Sequence, residues 1–330
     1  MSPMSSGTRV THLFDCASVG SALVAEGRRH QQPWRQVQGP WTRGGTQRAY
    51  YRFLAELAVN HQRTQLWHVH MGGRARWARG RFARPYVLTL HGTDIRENYW
   101  QAAHHEALKL DIDLAQHVFY TTPDLREKAE SVRPDAEYLP VALDVTSLPI
   151  WSPAPRPRVF FPSRWDASKG GDELLAMAGD IARAVGDRAE LLGLEWGDRA
   201  PEAASLGVRL VPRMSQAKFL LELSCAHVAV GQTKGALGVS ELQAMAIGVP
   251  LVFPDPVHGY PRGDDLGAIA VRRDDASTAV LEALADPRST SARLGGPAYV
   301  RRHHDPAGMI DRLQAVYAAA ATSPSGGGRA

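Results

Sequence analysis

Short apolar runs alternate with helical patterns along the whole chain, and the alternation breaks once before it restarts. Before the break, Val10–Phe14, Leu66–Val69, Tyr86–Leu90, His117–Tyr120 and Glu137–Leu139 read as strands. After it come Arg158–Pro162, Glu190–Leu194, Val208–Val211, His227–Val230 and Leu251–Phe253. Helical patterns fall between them at Val19–Arg29, Gly171–Val185, Ser215–Cys225 and Val239–Ala246. Strands that alternate with helices build parallel sheets with helices on both faces. The expected class is therefore α/β, with two doubly wound, Rossmann-like domains facing a cleft. The break is proline-rich, with Pro153, Pro155 and Pro157 close together. The expected division is a domain over 1–150, a linker over 151–157 and a second domain over 158–305. A last helix over 306–322 and a disordered tail over 323–330 follow. Open parallel sheets bind ligands outside the carboxyl ends of their strands, so residues just after each strand carry the search for function.

Composition narrows the setting. The two cysteines, Cys16 and Cys225, match no zinc or redox spacing, which argues for a reducing compartment. No run approaches the ~20 apolar residues that span a bilayer, and the N-terminus lacks the apolar core of a signal peptide. A cytoplasmic protein with no transmembrane segment is expected. The net charge of +4 conceals an asymmetry: residues 1–100 hold 14 Arg and 5 acids, whereas residues 101–330 hold 24 basic and 29 acidic residues. A negatively charged partner would approach the first third.

The strongest local signal is RVFFPSRWDASKGGDELL, Arg158 to Leu175. Arg164 and Lys169 follow a strand and precede a helix, and two cations in such a loop form a natural pyrophosphate clamp. A solvated loop with two cations is the simpler alternative. In KGALGVSELQAMAIGVPLVFPD, Lys234 to Asp255, a glycine-containing loop opens a helix at Val239. Backbone amides of Leu237, Gly238 and Val239 at that helix N-terminus offer an anion site.

Together these segments resemble the donor-binding half of GT-B glycosyltransferases, specifically glycosyltransferase family 4. That family carries an Arg-x4-Lys loop and, later, a Glu-x7-Glu segment ending in an EAMA-G-P pattern. Arg164 and Lys169 match the first, and Gln243-Ala-Met-Ala-Ile-Gly-Val-Pro250 matches the second in register. WHVHMG (Trp67–Gly72), LTLHGTDIR (Leu88–Arg96), FYTTPDL (Phe119–Leu125) and LPVALD (Leu139–Asp144) are similar to further family segments in the same order. Two departures stand out. Gln243 occupies the place of the second Glu, where it can still hydrogen-bond a ribose, and Gly235 occupies the place of the first, with no side chain. Glu241 is expected to turn to another face of the helix, and Lys234 to be solvated.

The resemblance implies a nucleotide-diphosphate sugar as co-substrate, no further cofactor, and retention of anomeric configuration. It implies catalytic roles for Arg164, Lys169 and His91. Donor binding would involve Gly20, Arg213, Met214, Leu237, Gly238, Val239 and Gln243. His70 and Asp94 are expected on the acceptor side, His91 and its neighbours lying at a strand's carboxyl end. His68 and His70 share one strand face, and without a third ligand a ligand-facing His70 is preferred over a metal pair. Asp111-Ile-Asp113 sits in an apolar helical run and reads as a coincidental Asp-x-Asp, so no metal is expected.

Gly73–Arg84 holds five Arg in twelve positions, with Trp77 and Phe82 among them. Arg74 and Arg76 are placed on the acceptor side. Such a stretch suits an anionic small molecule, a lipid or a nucleic acid, and peripheral membrane contact; a solvated Arg-rich helix competes with that reading. The expected function is a metal-independent glycosyltransferase acting on an anionic acceptor. A GT-B nucleotide-sugar epimerase or hydrolase, or a non-catalytic binding subunit, remains as an alternative.

Overall fold

The computed structural model describes residues 7–254, 259–260 and 263–322, so the expected tail over 323–330 lies outside the described residues. The chain divides into two units, Met1–Ala142 with Asp305–Ala330, and Leu143–His304. The proline-rich run thus belongs to the second unit.

The first unit is built on a six-stranded parallel sheet in the order β2-β1-β3-β4-β5-β6. Its strands are β1 (Val10–Leu13), β2 (Arg35–Val37), β3 (Leu66–His70), β4 (Tyr86–Leu90), β5 (His117–Tyr120) and β6 (Glu137–Tyr138). The second carries another six-stranded parallel sheet, ordered β12-β11-β10-β7-β8-β9. Its strands are β7 (Arg158–Phe161), β8 (Glu190–Leu194), β9 (Arg209–Val211), β10 (Val228–Val230), β11 (Leu251–Pro254) and β12 (Ile269–Val271). Each sheet is a doubly wound, Rossmann-like layer, as expected.

The central strands β1, β3, β4, β7 and β10 are buried nearly throughout, with polar Thr11, His12, His68, His70 and Thr89 buried among their apolar residues. Strands β2 and β12 were not anticipated. Both are edge strands of only three residues, Arg-Gln-Val and Ile-Ala-Val. The helix Gln47–His61 was also missed; Thr46 caps it by accepting from Ala49 N–H at 3.2 Å, and Phe53 and Leu57 anchor it in the core. After a 3₁₀ turn at Pro306–Met309, the helix Ile310–Thr322 belongs to the first unit, where Tyr317 is fully buried.

Candidate functional site

In the second sheet the crossovers run outward from β7 through β8 to β9, and in the other direction from β10 through β11 to β12. The point where winding reverses, between β7 and β10, is where such sheets bind ligands. One carboxylate holds both strand ends there. Glu241 is fully buried and accepts from Ser163 Oγ at 2.8 Å, Gln232 N–H at 3.2 Å and Ser240 Oγ at 3.0 Å. The loop after β7 is tied to the loop after β10 a second time, by Thr233 N–H donating to the Lys169 carbonyl at 3.3 Å. Gly170 has φ +109°, and a Cβ there would stand 1.7 Å from Thr233 Oγ1, so this close approach admits only glycine.

On that frame Arg164 and Lys169 share the loop that follows β7. Arg164 donates from Nη2 to Ser168 Oγ at 2.8 Å and lies 3.3 Å from Asp166, which in turn accepts from Ser168 N–H. Its guanidinium sits 5.2 Å from the Trp196 ring centroid, and that of Arg213 sits 4.5 Å from the same ring. Trp196, from the loop after β8, therefore gathers Arg164 and Arg213 at one edge of the sheet. Met214 follows, half-buried. Leu237 is buried, Gly238 caps the helix Val239–Ile247, and Gln243 is buried within it. Glu241 lies in that helix's first turn, so the positive end of the helix already has a carboxylate beside it.

The first sheet reverses its winding between β1 and β3. In the parallel register His12 of β1 lies level with His68 of β3, and His70 level with Thr89 of β4. A buried hydrogen-bonded chain runs through them. His91 Nε2 is 3.1 Å from His70 Nδ1, and His70 Nε2 is 3.0 Å from His12 Nδ1. His12 Nε2 is 3.5 Å from the Tyr317 hydroxyl, which lies 2.6 Å from His68 Nδ1; His68 Nε2 ends the chain 2.6 Å from Thr89 Oγ1. Burial pushes His12 down to about 3, and holds His68 and His70 well below the ordinary imidazole range. His91 is also lowered by burial, with Asp94 and Asp15 pulling the other way.

His12 supplies the third histidine that the sequence reading lacked, since donor atoms of His12, His68 and His70 lie within 4.8 Å of one another. Their ring nitrogens are engaged in hydrogen bonds, His12 Nδ1 with His70 Nε2 and His68 with Tyr317 and Thr89. The centroids of His68 and His70 lie 4.3 Å apart with 24° between their planes, and those of His12 and His70 lie 5.2 Å apart with 20°.

The acceptor-side expectation for His70 and Asp94 is corrected by their burial. His70 spends both ring nitrogens on neighbours. Asp94 accepts from the N–H groups of Gly72, His91, Gly92 and Ile95 at 2.8–3.1 Å, so it shapes the loop that carries His91. Gly20 donates its N–H to Asp15 at 3.0 Å, and a Cβ there would come 3.1 Å from His70 Nε2. Arg74 lies 4.1 Å over the Trp41 ring and Arg76 5.3 Å over Trp77. Asp111 of the Asp-x-Asp accepts from Ala75 N–H at 2.9 Å and pairs with Arg79, while Asp113 pairs with Lys109.

Three contributors escaped the sequence reading. Trp196 directly follows a strand end and could have been found by applying the strand-end rule to β8. His12 and Tyr317 matter only through pairing across the sheet and through the return of the last helix, which no local pattern displays.

The sequence matches no protein-family model, and no curated protein matches it by sequence. Solved structures do share its fold. Sucrose-phosphate synthase from Thermosynechococcus elongatus is 16% identical over 94% of this chain and 98% of its own, with a TM-score of 0.67. Anabaena HepE, solved with UDP and glucose, is 12% identical over 94% of this chain and 99% of its own, at 0.65. S. aureus TarM, solved with UDP among its ligands, is 11% identical over 76% of this chain, at 0.61. This chain spans about half of TarM's length, 55%. These likenesses establish the architecture: two Rossmann-like units of the kind found in GT-B glycosyltransferases.

Proposed function

We propose that the chain is a glycosyltransferase that moves a sugar from a nucleotide-diphosphate sugar to an anionic acceptor, without a metal ion and with retention of configuration. The observation that carries this reading is the placement of Arg164 and Lys169 in one loop at the winding reversal of the second sheet, with Arg213 brought beside Arg164 on Trp196. Breaking the bond between sugar and diphosphate builds charge on the leaving phosphate, and fixed cations stabilise that charge where a metal otherwise would. Gln243 and Met214 are assigned to the nucleotide, and the amides of Leu237, Gly238 and Val239 to the phosphates. Gly235, with φ +68°, brings no side chain to the donor sugar, so sugar choice falls to other groups.

His91 is assigned to the reacting sugar. Burial keeps its imidazole neutral at pH 7, so one nitrogen can donate while the other accepts. The acceptor is assigned to the basic first third, through Arg74 and Arg76. UDP bound by TarM and HepE supports a nucleotide partner, and the protein is read as cytoplasmic and peripheral to a membrane. No helix among the described residues is long and apolar enough to cross one.

The test is a thermal-shift panel of UDP, GDP, ADP and their sugars, followed by turnover of the donor that binds. Lys169→Ala is expected to cut transfer by about 100-fold with an unchanged melting temperature. Wild-type turnover in that variant would remove the clamp assignment. Conversion of the donor without any acceptor would favour an epimerase or hydrolase, and nucleotide binding with no turnover a binding subunit.

A further inference from the structure

A groove of about 740 Å³ runs along the outside of the first unit, away from the histidine chain. One wall is Leu54, Ala55 and Ala58 of the helix Gln47–His61, and the other is Trp77 and Phe82 of the Arg-rich segment. Arg76 and Arg81 stand at its rim. Its volume falls in the range of small-molecule sites, and its walls are aliphatic and aromatic.

The charge around it has one sign. Between residues 27 and 93 the chain holds 12 Arg and a single acid, Glu56. Glu56 is taken by Arg43 and Arg52. Arg48, Arg76 and Arg81 are exposed and have no ion-pair partner among the described residues. The same helix presents Tyr50, Tyr51 and Val59 to solvent, Tyr51 at 61%. Apolar side chains and aromatic rings beside unpaired guanidinium groups are what the boundary of an anionic bilayer accommodates.

The rings point away from single-stranded nucleic acid as the occupant. Base stacking needs a free aromatic face, whereas Trp77 already packs edge-on against Phe53 at 5.0 Å and Tyr50 at 6.2 Å, with Arg76 over it. Phe82 packs against His61 at 5.9 Å. What the groove leaves open is apolar width between two walls rather than a stacking platform.

We propose that this groove docks the first unit on an anionic bilayer, seating a phospholipid acyl chain against Leu54, Ala58, Trp77 and Phe82 while Arg76 and Arg81 meet the phosphate headgroup. The inference deepens the anionic-acceptor reading, resting on it only for which unit meets the acceptor. UDP-dependent thermal shift measured without vesicles reports the transferase reading separately.

The experiment is co-sedimentation of the full chain with vesicles of phosphatidylglycerol and phosphatidylcholine in equal parts, against phosphatidylcholine alone. Binding to the mixed vesicles should be at least about tenfold tighter, and should fall when salt rises from about 0.1 to about 1 M. The double variant Arg76→Ala with Arg81→Ala should lose about tenfold. Ala58→Gln, which lays a neutral polar chain into the groove from an exposed helix position, should lose binding with an unchanged melting temperature. Arg272→Ala, exposed on the second unit, should bind as wild type. Equal binding to both vesicle types would overturn the proposal. So would full binding by Ala58→Gln, which would mean headgroup attraction without a seated chain. Binding of single-stranded RNA with none to vesicles would replace the proposal by a nucleic-acid surface.

Discussion

Between β7 and β10 the strand ends of the second unit lead to Arg164, Lys169 and, through Trp196, Arg213. Between β1 and β3 the strand ends of the first lead instead to His12, His68, His70 and His91. Both places are winding reversals of parallel sheets, yet one presents fixed cations and the other a buried string of neutral rings. Desolvation accounts for the difference. A guanidinium cannot shed its proton, so Arg164 stays partly in water, with 35% of its side chain exposed. An imidazole can shed its charge and be buried whole, provided that each nitrogen finds a partner. The second site can therefore respond to an anion, whereas the first can fix the geometry of a neighbouring ring.

Acidification should separate the two most sharply. His12, His68 and His70 are held neutral in the folded first unit, with His12 at about 3 against an ordinary value of 6.5. Between pH 6.5 and the folded values the unfolded chain binds protons that the native state refuses, so stability falls as pH falls through that window. By pH 5 His12 alone costs about 2 kcal/mol, and His68 and His70 act in the same direction. In the second unit His227 is also lowered, by burial first and Arg158 second, but it is only partly buried. Hydrogen exchange read by mass spectrometry at pH 7 and pH 5 should show the first sheet opening while the second stays protected. Equal loss of protection in both would break the contrast.

The second unit has its own single point of failure in Glu241. Glu241→Ala strips the partner from Ser163 Oγ and Gln232 N–H in a fully buried place, at a cost of about 3 kcal/mol. Urea denaturation should show this loss, and Glu241→Gln should recover part of it. An Ala variant as stable as wild type would mean that the two strand ends are held apart from this carboxylate.

Legibility in the sequence divides along the same line. The strand–helix alternation, the Arg164–Lys169 loop and the helix opening at Val239 were readable, because each is set by residues adjacent in the chain. Edge strands β2 and β12 were not, since three residues at a sheet edge make too short a pattern to read. Asp94 and His70 were placed at the right strand ends but on the wrong side of the surface. Position in a loop does not reveal whether a carboxylate will collect four backbone N–H groups. His12 and Tyr317 are 305 residues apart and meet only when the last helix returns to the first unit.

That meeting makes a smaller, sharper prediction. Tyr317→Phe keeps the buried ring and removes the hydroxyl 2.6 Å from His68 Nδ1, leaving an imidazole nitrogen without its partner. A loss of about 1.5 kcal/mol is expected in denaturation. If the chain acts as one unit, ¹⁵N shifts of the His91 ring, three hydrogen bonds away, should move too. A stability loss with the His91 signals unmoved would reduce the chain to separate pairs.

The smallest expected effect tests whether the cationic site owes its shape to an aromatic ring. Trp196 is 40% exposed, so trimming it to Ala opens no core cavity and should leave stability within about 0.5 kcal/mol. Arg164 would keep Ser168 and Asp166, whereas Arg213 would lose the ring 4.5 Å from its guanidinium. A cation–π contact at a half-exposed site is worth about 1 kcal/mol, so the nucleoside diphosphate that gives the largest thermal shift should bind about fivefold more weakly to Trp196→Ala by calorimetry. Trp196→Phe, which keeps a ring face, should restore most of it. If Trp196→Ala bound as wild type while Arg164→Ala did not, the second unit's site would be built by its strand ends alone, and the aromatic bridge would be packing.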